Sequence, residues 1–436
     1  MTRVPAPRRR ARGPIVFLLL LAGTVGLGPA SLPAQDATPR AGEACSGRFL
    51  GIPIDVPARD RKELSWVGGA LLSVPGGPDD HREVPAGELF LWRNHPERRE
   101  LLRAEIAIVA NSIRYNRGFS SSRWEAVGTL ETSTLPWSFS DSIEGVRDTP
   151  ATLKFRSVRG GLGIGWRRGL APGLQDNFVE AALTFEPGYL WFARTGETAS
   201  DFVLPADSFE SRAHLRIRAD TLVRNLLELP HVGWAAGLDA RAGDRSGWKD
   251  WGGGASGEVR AADGRRWTSI SGYILAAAPL PFTAGERHRA IVSAYAATGS
   301  GLDRFSAPRL DGFSNAGDWE SLSRPVVPGA AADEFRPTRY AVANFEYRYQ
   351  AAFFLYLQAR GTLAWVDRAR RNEDGGLRTR MEPLPAVTAA VTSGLPWRMS
   401  MELAWSRNFG VLRSNGAGRT EKGGNALYAS LTKSLP

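Results

Sequence analysis

Apolar and polar residues alternate singly along most of this chain after residue 63. In 212–220, Ala213, Leu215, Ile217 and Ala219 fall on one side, and Arg212, His214, Arg216, Arg218 and Asp220 on the other. In 398–406, Met399, Met401, Leu403 and Trp405 oppose Arg398, Ser400, Glu402 and Ser406. In 353–365, Leu355, Leu357, Ala359, Gly361 and Leu363 oppose Gln358, Arg360 and Thr362. In 338–350, Ala341, Ala343, Phe345, Tyr347 and Tyr349 oppose Asn344, Glu346 and Arg348. Successive side chains of a strand point to opposite faces, so each run is a ribbon with one apolar and one polar face.

The pattern predicts strands at 64–72, 86–93, 101–116, 122–133, 151–167, 177–193, 203–219, 231–241, 255–262, 266–276 and 288–297. Five more follow at 338–350, 353–366, 385–393, 398–409 and 424–435, about sixteen in all, an even number that suits a bacterial barrel. Asp263-Gly264 reads as a tight hairpin turn. Asn372–Gly376 and Ser414–Gly424 read as longer polar loops. The connection 298–337 is the longest, and connections beyond roughly 15 residues are commonly functional. One segment departs from the β pattern. Asp220–Pro230 offers an N-cap in Asp220 and Leu222, Leu226 and Leu229 at helical spacing, which predicts a short helix.

A ribbon with a charged row fits a soluble sandwich, where that row faces bulk water. It fits a transmembrane barrel equally, where the charged row faces a wet lumen and the apolar row faces lipid. The N-terminus favours the barrel. Arg3, Arg8, Arg9, Arg10 and Arg12 precede the apolar run Ile15–Gly28, and small residues follow at Gly28-Pro29-Ala30 and again near Ala34-Gln35. Residues 1–30 therefore read as a secretory signal peptide, cleaved near Ala30 or Gln35. Arg9-Arg10 reads as an ordinary basic n-region, because a barrel crosses the inner membrane unfolded. No later stretch is apolar enough for a spanning helix, and without helices only a closed barrel satisfies its backbone in lipid. Trp137, Trp166, Trp191, Tyr349, Trp365, Trp397 and Trp405 recur near strand ends, as in the aromatic girdles of barrels.

Charge and composition narrow the function. Removing the five signal arginines from a formal +10 leaves +5, and no basic stripe interleaved with aromatics remains, so nucleic acid is not an expected partner. Cys45 is the single cysteine, so no internal disulfide forms. Glu43 stands where a lipid anchor needs a small or aliphatic residue, and Cys45 reads as an incidental thiol. Residues 31–62, rich in Pro, Ala, Arg and Asp, read as an aperiodic periplasmic linker or plug-like tail before a barrel domain at 63–436.

Catalytic chemistry has little support. Gly161, Gly163 and Gly165 recur every second residue, with Leu162, Ile164 and Trp166 between them. A dinucleotide fingerprint needs a different spacing, so these glycines share one face of a strand. Neither a G-x-S-x-G elbow nor an H-E-x-x-H zinc motif occurs. Asp79-Asp80-His81 adjoins Pro75-Gly76-Gly77-Pro78 and reads as a solvated hairpin loop. Barrel-rim hydrolases carry Ser/His or Asp/His pairs, and His214 beside Asp220 is too weak a signal to claim as one. No catalytic, cofactor-binding or metal residue is expected.

The long connection and the strands after it resemble the bacterial surface antigen family, the BamA-like barrels of outer-membrane assembly and translocation. The residues that carry the resemblance are R-L-D-G-F at 309–313, S-R-P-V-V-P-G at 323–329, D-E-F at 333–335 and the strand Tyr340–Tyr349. In that family the sixth extracellular loop enters the lumen and five strands follow it; here five predicted strands follow 298–337. The family loop carries an Arg-Gly-Phe/Tyr tip whose arginine pairs with acids in the barrel. This chain has Pro328-Gly329 there, with Arg324 a few residues earlier. The span between signal and first strand leaves no room for periplasmic repeat domains, and the chain ends Leu435-Pro436 rather than on an aromatic residue.

The resemblance implies an all-β transmembrane antiparallel barrel in the bacterial outer membrane, monomeric, in contact with outer-membrane lipid and with a periplasmic partner protein. It implies a role in protein or lipid export or outer-membrane assembly. A passive diffusion porin is the alternative, and a rim hydrolase a more distant one. The expected lumen-loop residues are Arg309, Asp311, Arg324, Pro328, Gly329, Glu334 and Phe335. The lumen-facing residues expected to meet them are Arg216, Arg218, Asn344, Glu346 and Arg348.

Overall fold

The computed structural model describes residues 40–49, 51–58, 62–74, 83–95, 97–107, 110–120, 122–170, 177–253, 259–260, 262–281, 283, 286–313, 321–331, 334–371, 377–414 and 420–435. The signal region and its cleavage sites, and the Asp79-Asp80-His81 loop, lie outside them.

Sixteen antiparallel strands close into a barrel. They are β1 (Lys62–Val74), β2 (Glu83–His95), β3 (Glu100–Ala107), β4 (Ala110–Gly118), β5 (Trp124–Phe139), β6 (Leu153–Gly169), β7 (Phe178–Arg194) and β8 (Ser208–Asp220). The second half comprises β9 (Pro230–Arg245), β10 (Arg266–Pro279), β11 (His288–Ser300), β12 (Arg339–Ala352), β13 (Leu355–Arg371), β14 (Leu377–Leu395), β15 (Met399–Ser414) and β16 (Thr420–Leu435). Each strand pairs with its sequence neighbour, and β16 returns to β1 from Leu435↔Leu64 to Asn425↔Val74. Closure removes the sheet edge that lipid would leave unsatisfied.

The faces are inverted relative to a soluble fold. Arg212, His214, Arg216 and Arg218 are buried along β8, while Leu215 and Ile217 between them are exposed. Leu162, between Gly161 and Gly163, is 78% exposed. A sandwich buries its apolar rows; here they form the outer wall, which is the arrangement lipid requires. Rings lie towards both rims: Trp66, Trp124, Trp234 and Trp397 towards one, Tyr189, Trp191 and Trp365 towards the other, all on the exposed side. The sequence-named Trp137 lies in β5, among side chains outside the described set.

The two rims differ. At the rim holding both ends of the barrel sequence the connections are short, such as 353–354 and 396–398. Tight reversals there place Arg99, Ser120, Glu228, Phe354, Trp397 and Arg398 at positive φ. The other rim carries the long connections, including 301–338. Short periplasmic turns and long external loops are the usual asymmetry of outer-membrane barrels, and the rims are named periplasmic and external accordingly.

Three sequence expectations are corrected. The run 101–116 is two strands, β3 and β4, joined at residues 108–109, where no Gly, Pro, Asn or Asp marks a turn. The run 255–262 adds no barrel strand: Val259–Arg260 pairs with Trp251–Gly252 in a loop ribbon, and Asp263-Gly264 lies in a 3-10 turn, Ala262–Arg265. The two miscounts offset, so the total stayed at sixteen. The expected helix at 220–230 is a hairpin turn instead. Asp220 accepts from the Leu222 amide at 2.9 Å, as an N-cap would. Asn225 Oδ1 then accepts from Leu227 and Leu229 N, and Asn225 N donates to Leu229 O, closing the chain on itself before a helical turn can propagate.

Residues 40–58, read from sequence as part of an aperiodic linker, contain an antiparallel hairpin, Cys45–Phe49 with Ile52–Val56, reversed at Gly51 with φ +83°.

Candidate functional site: a loop latched to the inner wall

The connection between β11 and β12 turns inward. At its start, Asp303 takes a guanidinium N–H from Arg245 of β9 at 2.5 Å, and its other oxygen caps the turn through Phe305 and Ser306 N, both at 3.0 Å. Arg304 donates to the Ala151 carbonyl and lies over the Trp251 ring. Phe305 packs among Phe155, Phe192, Trp248 and Trp251, so the entry to the loop is anchored in an aromatic cluster formed by the external ends of β6 and β7 and the loop after β9.

The two arms of the loop then pair with each other. Leu310 N donates to Phe335 O, and Val327 N to Asp311 O, both at 3.0 Å. Gly312 permits this zipper: a Cβ there would lie 2.0 Å from the Ala330 carbonyl oxygen. Leu310, Val327, Ala330 and Phe335 are buried against inward-facing Tyr340, Val342, Ala364, Val366, Leu384 and Val411 of β12–β15. Phe313 stacks on Tyr428 of β16 at 5.2 Å. An apolar inner wall is exceptional in a wet lumen, and the loop supplies the surface that covers it.

Arg413 of β15 is the latch. It reaches both carboxylate oxygens of Glu334, at 2.7 and 2.8 Å, and donates to Gly329 O at 3.0 Å. Arg413 and Glu334 side chains are each 4% exposed. A bidentate guanidinium–carboxylate pair is the strongest form of such a contact, because both planar groups are matched. Glu334 also accepts from Ala331 N, which fixes its own segment.

A bulge in β15 prepares the wall for the loop. The register with β16 shifts between Asn408 and Leu412. Asn408 Oδ1 accepts from Gly410 and Val411 N, while its Nδ2 donates to Pro328 O at 2.8 Å. Gly329, at φ +80°, sits so close to Asn408 that a Cβ would lie 2.9 Å from the Asn408 backbone nitrogen. Pro328-Gly329 is thus the contact point of the loop with the bulge. Bulges often re-aim side chains at functional positions.

On the far arm Arg324 reaches Glu105 of β3 at 3.3 and 3.4 Å. The loop therefore spans from β15, past β16, β1 and β2, to β3.

The opposite wall is ionic. Arg159 joins Glu131 and Glu210, Arg212 joins Glu131 and Glu186, and Arg245 joins Glu210 and Asp303. His214 lies between Glu186 at 3.3 Å and Asp239 at 2.8 Å, so both ring nitrogens face carboxylates, and neither of them is Asp220. Charges out of bulk water persist when each finds a partner. The glycine row makes space for them: a Cβ on Gly161 would lie 2.6 Å from Glu186 Cγ, and one on Gly165 3.2 Å from Glu125 Cγ.

The sequence-named residues divide by height in the barrel. Pro328, Gly329, Glu334 and Phe335 gather on the β15 wall, and Arg324 meets Glu105. Arg309 and Asp311 face each other within the loop at 3.8 Å. Asn344, Glu346 and Arg348 lie on the inner side of β12, but lower. Asn344 bonds Ser293 and Thr362, Glu346 joins Arg348 and Arg360, and Arg348 donates to Pro230 O near the periplasmic rim. Arg216 pairs with Glu180 and Arg218 with Asp239. The expected pairing of Glu334 with Arg216, Arg218 or Arg348 is replaced by Arg413, because β8 and β12 run downward from the external rim and carry those arginines past the depth of the loop. Arg413, Asn408 and Glu105 were not singled out from sequence. The consecutive apolar pair Val411-Leu412 beside Asn408 and Gly410 breaks the alternation of β15 and marks the bulge.

No protein-family model and no curated protein matches the sequence. Among solved structures the chain is similar to BamA from Haemophilus ducreyi lacking POTRA domains 1–3, with a TM-score of 0.49 and 10% identity over 89% of this chain and 75% of that one. It is similar to CdiB from Acinetobacter baumannii, with a TM-score of 0.48 and 8% identity over 89% of this chain and 65% of that one. CdiB from Escherichia coli gives a TM-score of 0.47 and 11% identity over 90% of this chain and 67% of that one. The chain thus spans about two thirds of the CdiB structures.

Proposed function

We propose that this chain is an outer-membrane barrel, closed at rest by its own loop, that serves protein or lipid export or outer-membrane assembly rather than free diffusion of small solutes. The observation that carries this reading is the latch of Arg413 on Glu334 and Gly329. A sixteen-strand wall unfilled by loops leaves an aqueous channel; here a long segment is bound into that space by buried ionic and apolar contacts.

The two-sided lumen supports the same reading. One inner surface is a ladder of carboxylates and guanidinium groups, the other an apolar stripe from Leu275 and Ile291 to Leu384 and Val411. An extended amphipathic client, a polypeptide strand or a lipid, matches both surfaces; a sugar or an ion matches only the first. In this reading the outer wall meets outer-membrane lipid, the barrel is monomeric, and a periplasmic partner delivers the client to the rim with the short turns.

Deleting the gene tests the reading. Loss of an export or assembly factor weakens the envelope, so sensitivity to bulky antibiotics such as vancomycin rises and complementation restores resistance. Loss of a diffusion pore leaves that barrier intact and slows uptake of small solutes. The second outcome overturns the proposal.

A further inference from the structure

The hairpin of residues 45–56 occupies a place that the barrel itself does not require. In a sixteen-strand ring β1 stands opposite β9. Arg40 bridges to Asn225, and Ala41 N donates to Arg224 O at 3.0 Å, both in the turn that leads into β9. Lys62 begins β1. Arg40 and Lys62 therefore stand at opposite sides of the periplasmic mouth, and the described residues between them begin the crossing. On the way they touch the β12–β13 turn: a Cβ on Gly47 would lie 2.3 Å from the ring of Phe353.

The hairpin has two faces. Cys45 pairs with Val56 and Gly47 with Ile54, and Ile54 is buried while Ser46, Arg48 and Asp55 are exposed. A two-stranded hairpin alone is marginal in water, so docking on the mouth holds this one together. The side chains of His231, Arg289, Arg348 and Tyr356, at the periplasmic ends of β9, β11, β12 and β13, are buried.

We infer that residues 40–58 form a docked lid across the periplasmic mouth, a second closure in series with the latched loop. The lid must leave the rim before a client enters the lumen from the periplasm; ions still pass around its edges, so it lowers conductance without abolishing it. Gly47 sets its seat, because the Phe353 ring takes the space of a side chain. The inference rests on the reading of the loop as a plug, and its tests separate the two.

The first test is conductance in planar bilayers of two variants checked for folding by heat-modifiable migration: one lacking 306–332, the other lacking both 306–332 and 40–58. The double deletion is expected to conduct at least about twofold more than the single, as a sixteen-strand lumen clear at both ends should. Equal, raised conductance in both overturns the lid and leaves the plug. Baseline conductance in both overturns the lid and the plug together.

The second test uses the native thiol in the full chain. Burial, and then the Glu43 carboxylate, hold the Cys45 thiol above its ordinary range, so maleimide labelling is slow. Gly47→Leu is expected to accelerate labelling about tenfold, the change that about 1.4 kcal/mol of lost docking energy produces. An unchanged labelling rate contradicts the seat at Phe353 and overturns the lid.

Discussion

Arg413→Ala is expected to free the loop while the barrel stays closed as a ring. The substitution leaves Glu334 buried without its guanidinium, and Gly329 O without its donor. Removing one partner of a buried ion pair typically costs about 3–5 kcal/mol. The strands keep their ladders, so the loss falls on loop docking rather than on global unfolding. Hydrogen exchange at Val327 and Ala330, whose amides are bonded within the loop, should accelerate by about a hundredfold or more, since each 1.4 kcal/mol is worth a factor of ten. Heat-modifiable migration should remain. Arg413→Ala combined with Glu334→Ala should exchange more slowly than Arg413→Ala alone, because the stranded charge is gone while the apolar contacts of Leu310, Val327 and Phe335 persist. Exchange in Arg413→Ala equal to that of the intact chain would contradict the latch.

Leu162→Arg is expected to destabilise the barrel by about 2–4 kcal/mol, the cost of arginine at the bilayer midplane on a lipid-facing wall. Leu162 lies midway along β6, between Trp166 towards the periplasmic rim and Arg156, which pairs with Trp191, towards the other. It packs against little protein. On a soluble surface the same change would be close to neutral, within about 0.5 kcal/mol. Urea unfolding in lipid vesicles, followed by loss of heat-modifiable migration, reads the difference. Leu162→Phe should show no comparable loss. A neutral Leu162→Arg would mean that this face does not meet lipid.

The sidedness of the wall was legible because alternation is a local property: Arg212 to Arg218 declare their face without reference to any other strand. Strand placement depends on turns, and it failed where turns were unmarked, as at 108–109, although the count of sixteen held. The length and position of the loop were also legible, since its residues and the five alternating runs after it can be counted. Its partners were not. Which arginine meets Glu334 depends on the depth of each strand in the membrane, and register is a tertiary quantity that alternation leaves open. Arg413 and Arg348 look alike in sequence, yet they lie towards opposite rims. The Cys45–Val56 hairpin escaped because its strands are five residues long, include Pro53, and are held by docking rather than by their own pattern.

The central claim is that a segment of the chain itself closes this barrel from within. Single-channel recording of the intact protein and of the variant lacking 306–332 tests it most directly. The claim predicts a near-silent baseline for the intact chain and stable open steps once the loop is removed. Equal conductance in the two would contradict it.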